Sequence, residues 1–511
     1  MLSKVFSSAI VGLDAVAVEV EVDISSQGLP SFTIVGLPDK AVEEAKERVR
    51  SAIKNTGCDF PQRRITVNLA PADLPKEGAS YDLPIALGIL IASEQIKEDF
   101  SNSFFTGELS LDGRLRRTNG ILPQVILAKE KKIKNVFLPA INANEASIIK
   151  GVKVYPVESL LKLLKHFSGG ELIKPVKTRS LESYVKEADY DFDMADIAGQ
   201  EQAKRALEIA AAGGHNILLK GPPGAGKTLL ARTLPSILPR LTLAESLEVT
   251  KIYSISGLLD KEPILTTRPF RSPHHTTSHI GLIGGGANPK PGEISLAHRG
   301  VLFLDEFPEF PRQVLEALRQ PMEDGFVVIS RALGRIMFPS KFLFFAAQNP
   351  CPCGYFGDNT HECKCTSAQI MRYQKRISGP MLDRIDIHLE VPAVKVEKLT
   401  SKEKLKSESS KTIRNRVQNA RDMQTKRFKS SKNTSNSEMN NKDIKKYCDL
   451  SDECLSLLKL AVSKMQLSAR SYQRVIKLSR TIADLDSSKE IMPNHIAEAL
   501  QYRPKTENNI Y

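Results

Sequence analysis

The chain has 511 residues, 41% hydrophobic and 26% charged, a balance that belongs to globular proteins and a length that exceeds one ordinary core. It holds no apolar run of about 18 residues and no basic-then-apolar leader pattern, so it reads as a cytoplasmic protein with no membrane partner. Seven cysteines argue against a disulfide framework, and much of the net charge of +13 sits in residues 400–432, where eleven lysines or arginines face three acidic residues.

In chain order, residues 1–165 are expected to form a compact α/β domain. Val16, Val18, Val20 and Val22 alternate as in a half-buried strand, and Ala41–Lys54 has helical spacing. Ile65–Leu69 and Asn135–Pro139 read as further strands, and Tyr81–Ala92 as a helix. Residues 166–190, with Gly169, Gly170 and Pro175, read as a linker. From 191 to 398 a βα pattern dominates. Residues 399–441 read as a basic helix and a mobile Ser/Asn/Lys-rich linker, the basic run being more often a solvated face than a polyanion contact. Residues 442–505 read as a small helical domain, with Leu455, Leu458, Ala461, Val462, Val475 and Ile476 at helical spacing.

The chemistry begins at Gly221-Pro222-Pro223-Gly224-Ala225-Gly226-Lys227-Thr228, a phosphate-binding loop between the apolar run Ile217–Leu219 and a helix start at Leu229. Glycines there let backbone N–H groups wrap phosphates, Lys227 reaches their oxygens, and the Thr228 hydroxyl ligates Mg²⁺. The expected ligand is ATP with Mg²⁺. Val301–Leu304 is an apolar strand ending in Asp305, a Mg²⁺ partner, and Glu306, the base that polarises the attacking water. A strand over Phe342–Ala347 leads to Asn349, placed to hold that water, although it also suits a turn cap before Pro350. Arg384 is placed as an arginine finger reaching a neighbouring subunit's nucleotide, where a lone arginine is otherwise a surface ion pair. Arg470 and Arg474 share one face of a helix and are placed as second-sensor candidates.

Gly221–Thr228, the block from Pro291-Gly292-Glu293 to Asp305-Glu306, Asn349-Pro350-Cys351-Pro352-Cys353-Gly354 and Arg470–Leu485 together resemble the Mg-chelatase-like AAA+ ATPases. Within them the chain is most similar to the YifB/ComM group, over nearly its whole length. The resemblance implies an α/β AAA+ P-loop core with a C-terminal helical lid, preceded by an α/β domain like that of Lon proteases. It implies a hexameric ATP-driven DNA motor of the branch-migration kind, with Arg384 as finger and Arg470 as sensor. Two other readings compete. One is a magnesium-chelatase motor subunit, which the Lon-like domain, the cysteine cluster and the basic excess do not fit. The other is an ATP-gated DNA-binding or assembly protein without translocation.

Phe326–Ser330 and Arg335–Pro339 flank Arg331–Gly334 as a β-hairpin. In the related branch of AAA+ proteins such a hairpin enters the central pore, which makes Arg331 and Arg335 candidate contacts to DNA phosphates. The basic, Gly-rich residues 268–299 suit a second pore loop. His274 and His275, if in a strand, face opposite ways and do not make a metal site. Cys351, Cys353, Cys363 and Cys365 form two Cys-x-Cys pairs able to close a structural Zn²⁺ site. Finally, Pro75–Ser80 and Thr106–Gly113 are similar to the Lon proteolytic domain, with Ser80 at the nucleophile position. The position of the required lysine holds Leu122, and Lys129 lies too far along, so no peptidase activity is expected.

Overall fold

The structure is a computed structural model that describes residues 2–178, 184, 190–259, 262–286, 289–331, 334–358, 361–392, 408–431 and 433–504, the side chains of Arg331 and Gly334 excepted. The chain forms two compact units: Met1–Lys186 with Leu243–Thr266, and Glu187–Thr242 with Thr267–Tyr511.

The first unit is built on a seven-stranded mixed sheet, in the order Ser31–Val35, Arg64–Ala70, Asp14–Ser25, Leu2–Val11, Ser103–Phe105, Asn135–Pro139, Lys153–Val157. Leu2–Val11, Asp14–Ser25 and Arg64–Ala70 run antiparallel, and the other neighbours run parallel. Alternation sets the faces: Val18, Val20 and Val22 are fully buried while the intervening Glu19 and Glu21 face outward to Lys4. The helix Lys40–Asn55 starts where Asp39 accepts the amide of Val42, and it buries Val42, Ala45, Val49, Ala52 and Ile53, a 3.6-period stripe. The helix Asp82–Ala92 is apolar on nearly every side and crosses the inner strands, with Gly88 needed where a Cβ would come within 2.5 Å of Val22.

Leu243–Thr266 belongs to this first unit, although it lies inside the 191–398 stretch read from sequence as one βα segment. Its helix, Leu243–Ser256, is anchored by a buried network. Glu145 accepts the Ser254 hydroxyl and the amide of Leu122 at 3.1 Å, and Gly120 donates to the Ser254 carbonyl at 3.0 Å. Burial pushes the Glu145 carboxyl above its ordinary range. The arm therefore docks against residues 120–122, where a Lon-type lysine would stand. Leu122 is fully buried, and Lys129 is exposed.

The second unit holds a five-stranded, all-parallel sheet in the order Phe270–Arg271, Val301–Leu304, Leu343–Gln348, Ile217–Lys220, Ile387–Glu390. Its strands are continuous apolar runs because both faces are covered. The helices Asn441–Tyr447, Asp452–Met465, Ala469–Leu485 and Pro493–Gln501 share one hydrophobic core with that sheet.

Two expectations change here. Residues 433–439, read from sequence as mobile, are held in place: Asn436 is fully buried, accepts from Arg427 at 2.8 Å and donates to Asp484 at 2.8 Å. The described part of the basic run forms the helix Ser410–Arg427, whose arginines tie the unit together rather than line a solvated face. Arg416 binds Glu208 and Glu408, Arg427 binds Asp484, and Arg414 and Arg421 donate to backbone carbonyls. Residues 400–407 lie outside the described residues. No helix among the described residues is long and apolar enough to cross a membrane.

Candidate nucleotide site

In a parallel sheet the carboxyl ends of adjacent strands open on one edge, and ligands bind there. Lys220 pairs with Gln348 and Leu304 with Ala346, so the loop 221–228, Asp305 and Asn349 emerge side by side. Gly221 donates to the Gln348 carbonyl at 3.2 Å, and a Cβ on it would lie 2.2 Å from the Val391 carbonyl oxygen. Gly224 and Gly226 adopt φ of +75° and +84°, the left-handed region that lets the loop curl ahead of the helix Lys227–Thr233.

Lys227 is buried, and its ammonium donates to the Gly221 carbonyl at 2.7 Å, the Pro222 carbonyl at 2.8 Å and Asn349 Oδ1 at 3.1 Å. Burial holds its pKa below the ordinary lysine value, against the pull of the Asp305 carboxylate. The Thr228 hydroxyl donates to Asp305 Oδ2 at 2.7 Å, so two hard oxygen donors converge, the set that Mg²⁺ takes. Glu306 follows with φ +49°, a left-handed conformation that costs a non-glycine residue energy and is found where a site requires it. Its amide donates to Asp305 Oδ1 at 2.9 Å, and His275 Nδ1 stands 3.5 Å from its carboxylate.

Arg384 and Arg470 converge on a residue that the sequence did not single out. Arg384 ion-pairs with Glu323 through Nη2 and donates to the Pro380 carbonyl at 2.8 Å, while Arg470 Nη2 lies 3.6 Å from the other Glu323 oxygen. The bond from Arg384 holds the Glu323 carboxyl below its usual range. Among the described residues, no hydrogen bond or ion pair of either arginine reaches the loop 221–228. Arg474 takes a different place: it binds Asp386 and donates to the Arg384 carbonyl at 3.1 Å.

The four cysteines come together, their sulfurs all within 4.8 Å of one another, and they are the only such cluster of metal-ligating side chains among the described residues. His274 and His275 are not in a strand. Their rings approach to 4.1 Å between centroids, against the opposite-facing arrangement expected of them, and His275 turns to Glu306. Of the basic residues in 268–299, Arg268 donates to the Pro239 and Arg299 carbonyls and Arg271 binds Glu293, so both serve the fold.

The hairpin forms as Phe326–Arg331 paired with Gly334–Pro339, with Arg331 opposite Gly334. Val327, Ile329 and Phe338 are buried, while the cross-strand pair Val328 and Met337 and the cation Arg335 face solvent. Sequence reasoning also missed a cleft of about 800 Å³ where Arg312, Arg372, Lys375 and Arg376 stand around Pro308, Phe310 and Met371. Only Glu309, 2.6 Å from Arg376, offsets those charges within the lining.

A parallel sheet carrying a glycine-rich phosphate loop, an adjacent strand ending in Asp-Glu and a second ending in Asn defines a P-loop ATPase core of the AAA+ class. Comparison with known families gives its type. Residues 193–399 match the family "Magnesium chelatase, subunit ChlI", residues 20–142 match "Subunit ChlI of Mg-chelatase", and residues 407–503 match the C-terminal family of the same subunit. The chain is 46% identical to "Competence protein ComM" of Haemophilus influenzae, over 98% of this chain and 97% of that protein. It is 43% identical to the uncharacterized protein YifB of Escherichia coli with the same coverage. An archaeal Lon protease of Methanothermobacter thermautotrophicus is 32% identical over 128 residues, 24% of this chain and 20% of that protein. The chain belongs to the YifB/ComM family of Mg-chelatase-like AAA+ ATPases.

Proposed function

We propose that this chain is the subunit of a hexameric, ATP-driven DNA motor that moves branched or single-stranded DNA during recombination or natural transformation. The observation that carries the reading is the convergence of Arg384 and Arg470 on Glu323 rather than on the loop 221–228. With its partners Glu323 and Pro380, Arg384 makes no bond among the described residues to its own phosphate loop, which supports reading it as the finger that completes a neighbouring subunit's site in a ring. In that site the loop 221–228 wraps the phosphates, and Lys227 exchanges its carbonyl and Asn349 partners for phosphate oxygens. Thr228 and Asp305 would hold Mg²⁺, which supplies charge neutralisation to the β- and γ-phosphates. Glu306 orients and deprotonates the attacking water, Asn349 positions it, and the neighbour's Arg384 stabilises charge at the γ-phosphate.

DNA is the substrate that the exposed cations favour. Arg335 beside the hairpin turn and the cleft of Arg312, Arg372, Lys375 and Arg376 offer phosphate contacts without base readout; Arg331, at the register position opposite Gly334, is the further candidate taken from the sequence. Similarity over the whole chain to a competence protein supports this over a chelatase motor. The magnesium-chelatase 38 kDa subunit of Rhodobacter capsulatus aligns with only 31% of the chain, at 26% identity. Leu122 stands where the Lon-type lysine is expected, so the first unit is read as a scaffold rather than a peptidase. The four thiols are read as a structural Zn²⁺ site.

Mixing two inactive variants tests the shared site. Lys227→Ala removes phosphate binding and Arg384→Ala removes the finger, so mixed rings contain some complete sites and should regain part of the ATPase rate. No recovery at any mixing ratio, with both variants folded and assembled, would refute hydrolysis between subunits.

A further inference from the structure

The cysteine loop is built into the nucleotide site. Cys351 comes two residues after Asn349, at the end of the strand Leu343–Gln348. The recorded sulfur separations, 3.4 Å for Cys351–Cys353, 3.7 Å for Cys351–Cys363 and 3.6 Å for Cys353–Cys363, lie close to the about 3.8 Å edge of a tetrahedron with Zn–S bonds of about 2.3 Å. Two backbone amides already point at sulfur: Cys353 N–H at Cys365 Sγ, 3.4 Å, and Phe356 N–H at Cys351 Sγ, 3.3 Å.

Two physical links run from this cluster to the phosphate site. The first is the helix Ser367–Gln374, which begins directly after Cys365 with a Thr366–Gln369 capping box. At its far end Gln374 Nε2 donates to the Pro350 carbonyl at 3.4 Å, directly after Asn349. The chain is thereby tied one residue after Asn349, whose side chain accepts from Lys227. The second link is Gly354, at φ +89°, where an added Cβ would come within 2.6 Å of Pro223 Cδ and Cγ. The back of the cysteine loop thus rests on the phosphate loop itself.

We infer that Cys351, Cys353, Cys363 and Cys365 hold a tetrahedral Zn²⁺ centre that acts as the support of the ATP site, fixing the Asn349-Pro350 turn through the Gln374–Pro350 bond and the phosphate loop through the Gly354–Pro223 contact. The inference rests on reading 221–228 as an ATP site. Between Cys353 and Cys363 the loop contributes few apolar side chains, so four coordinate bonds supply the rigidity that packing does not. With four thiolates the metal has no open position, and its part is positional.

The test uses the full chain and two readouts, bound metal and affinity for a fluorescent ADP analogue. Purified protein should contain one zinc per chain, and replacement by Co²⁺ should give the absorption of a tetrahedral cobalt–thiolate centre. Chelation should weaken the analogue about 10- to 100-fold, and added Zn²⁺ should restore it. Because Cys→Ser variants risk misfolding, Gly354→Val serves as the second arm: it keeps all four thiols and should keep one zinc while weakening the analogue about tenfold. Absence of bound metal, or metal-free protein and Gly354→Val both binding the analogue as wild type does, would overturn the inference while leaving the ATP site intact. Failure of the zinc-loaded wild type to bind the analogue would overturn both.

Discussion

Replacing Asp386 by Asn should destabilise the second unit by about 3 kcal/mol. The carboxylate is 4% exposed and accepts from Arg474, from His215 Nδ1 at 3.3 Å and from the Asn216 amide at 3.1 Å. Asn keeps the shape and removes the charge, leaving His215 fully buried and Arg474 with a quarter of its side chain exposed beside a neutral amide. Stripping one partner from a buried ion pair costs about 3–5 kcal/mol, and the exposure of Arg474 places this case at the lower end. The sign with pH follows from the environment. Burial opposes ionisation, but Arg474 and His215 more than offset it and hold the carboxyl well below the ordinary range. Its stabilisation is therefore complete above the unfolded-state value of about 3.9 and is lost as pH falls below it. Urea unfolding of wild type and Asp386→Asn should show a constant gap from about pH 6 to 8, closing in acid, with unchanged m-values. A gap under about 1 kcal/mol at neutral pH, or one that widens as pH falls, would refute the reasoning.

Further expectations concern the site. Lys227→Ala should abolish measurable binding of a fluorescent ATP analogue while leaving the urea midpoint nearly unchanged. Glu323→Gln should cut the ATPase rate about tenfold with nucleotide affinity unaltered, since it releases Arg384 and Arg470 without touching the phosphate loop; because the carboxylate is half exposed, stability should move by less than about 1 kcal/mol. Arg335→Glu should weaken DNA binding equally across sequences and lower the slope of log K against log salt by about 1 in fluorescence titrations. An unchanged slope would remove Arg335 from the DNA surface.

The parts of the site that could be read from sequence are those whose signal is local. A phosphate loop, an apolar run ending in Asp305-Glu306 and another ending before Asn349 each carry strand, turn and chemistry within a few adjacent residues. Glu323 could not be found that way, because one acid in Pro321-Met322-Glu323-Asp324 looks like any solvated carboxylate until the fold brings Arg384 to it. The basic run misled for the same reason: composition cannot tell that Arg416 meets Glu208, 208 positions away. The arm at Leu243–Thr266 gave no warning either. Its helix buries Glu245, Ser246 and Ser254 along with Val249 and Ile252, a mixture without an apolar stripe. His274 and His275 were misread because a strand's period of two was assumed where the chain turns.

The most direct test is a four-way DNA junction with ATP, comparing wild type with Glu306→Gln. The account predicts ATP-dependent movement of the branch point by wild type, and junction binding without movement by the variant, which still binds ATP. Junction binding without movement in both proteins, under conditions where wild type hydrolyses ATP, would contradict it.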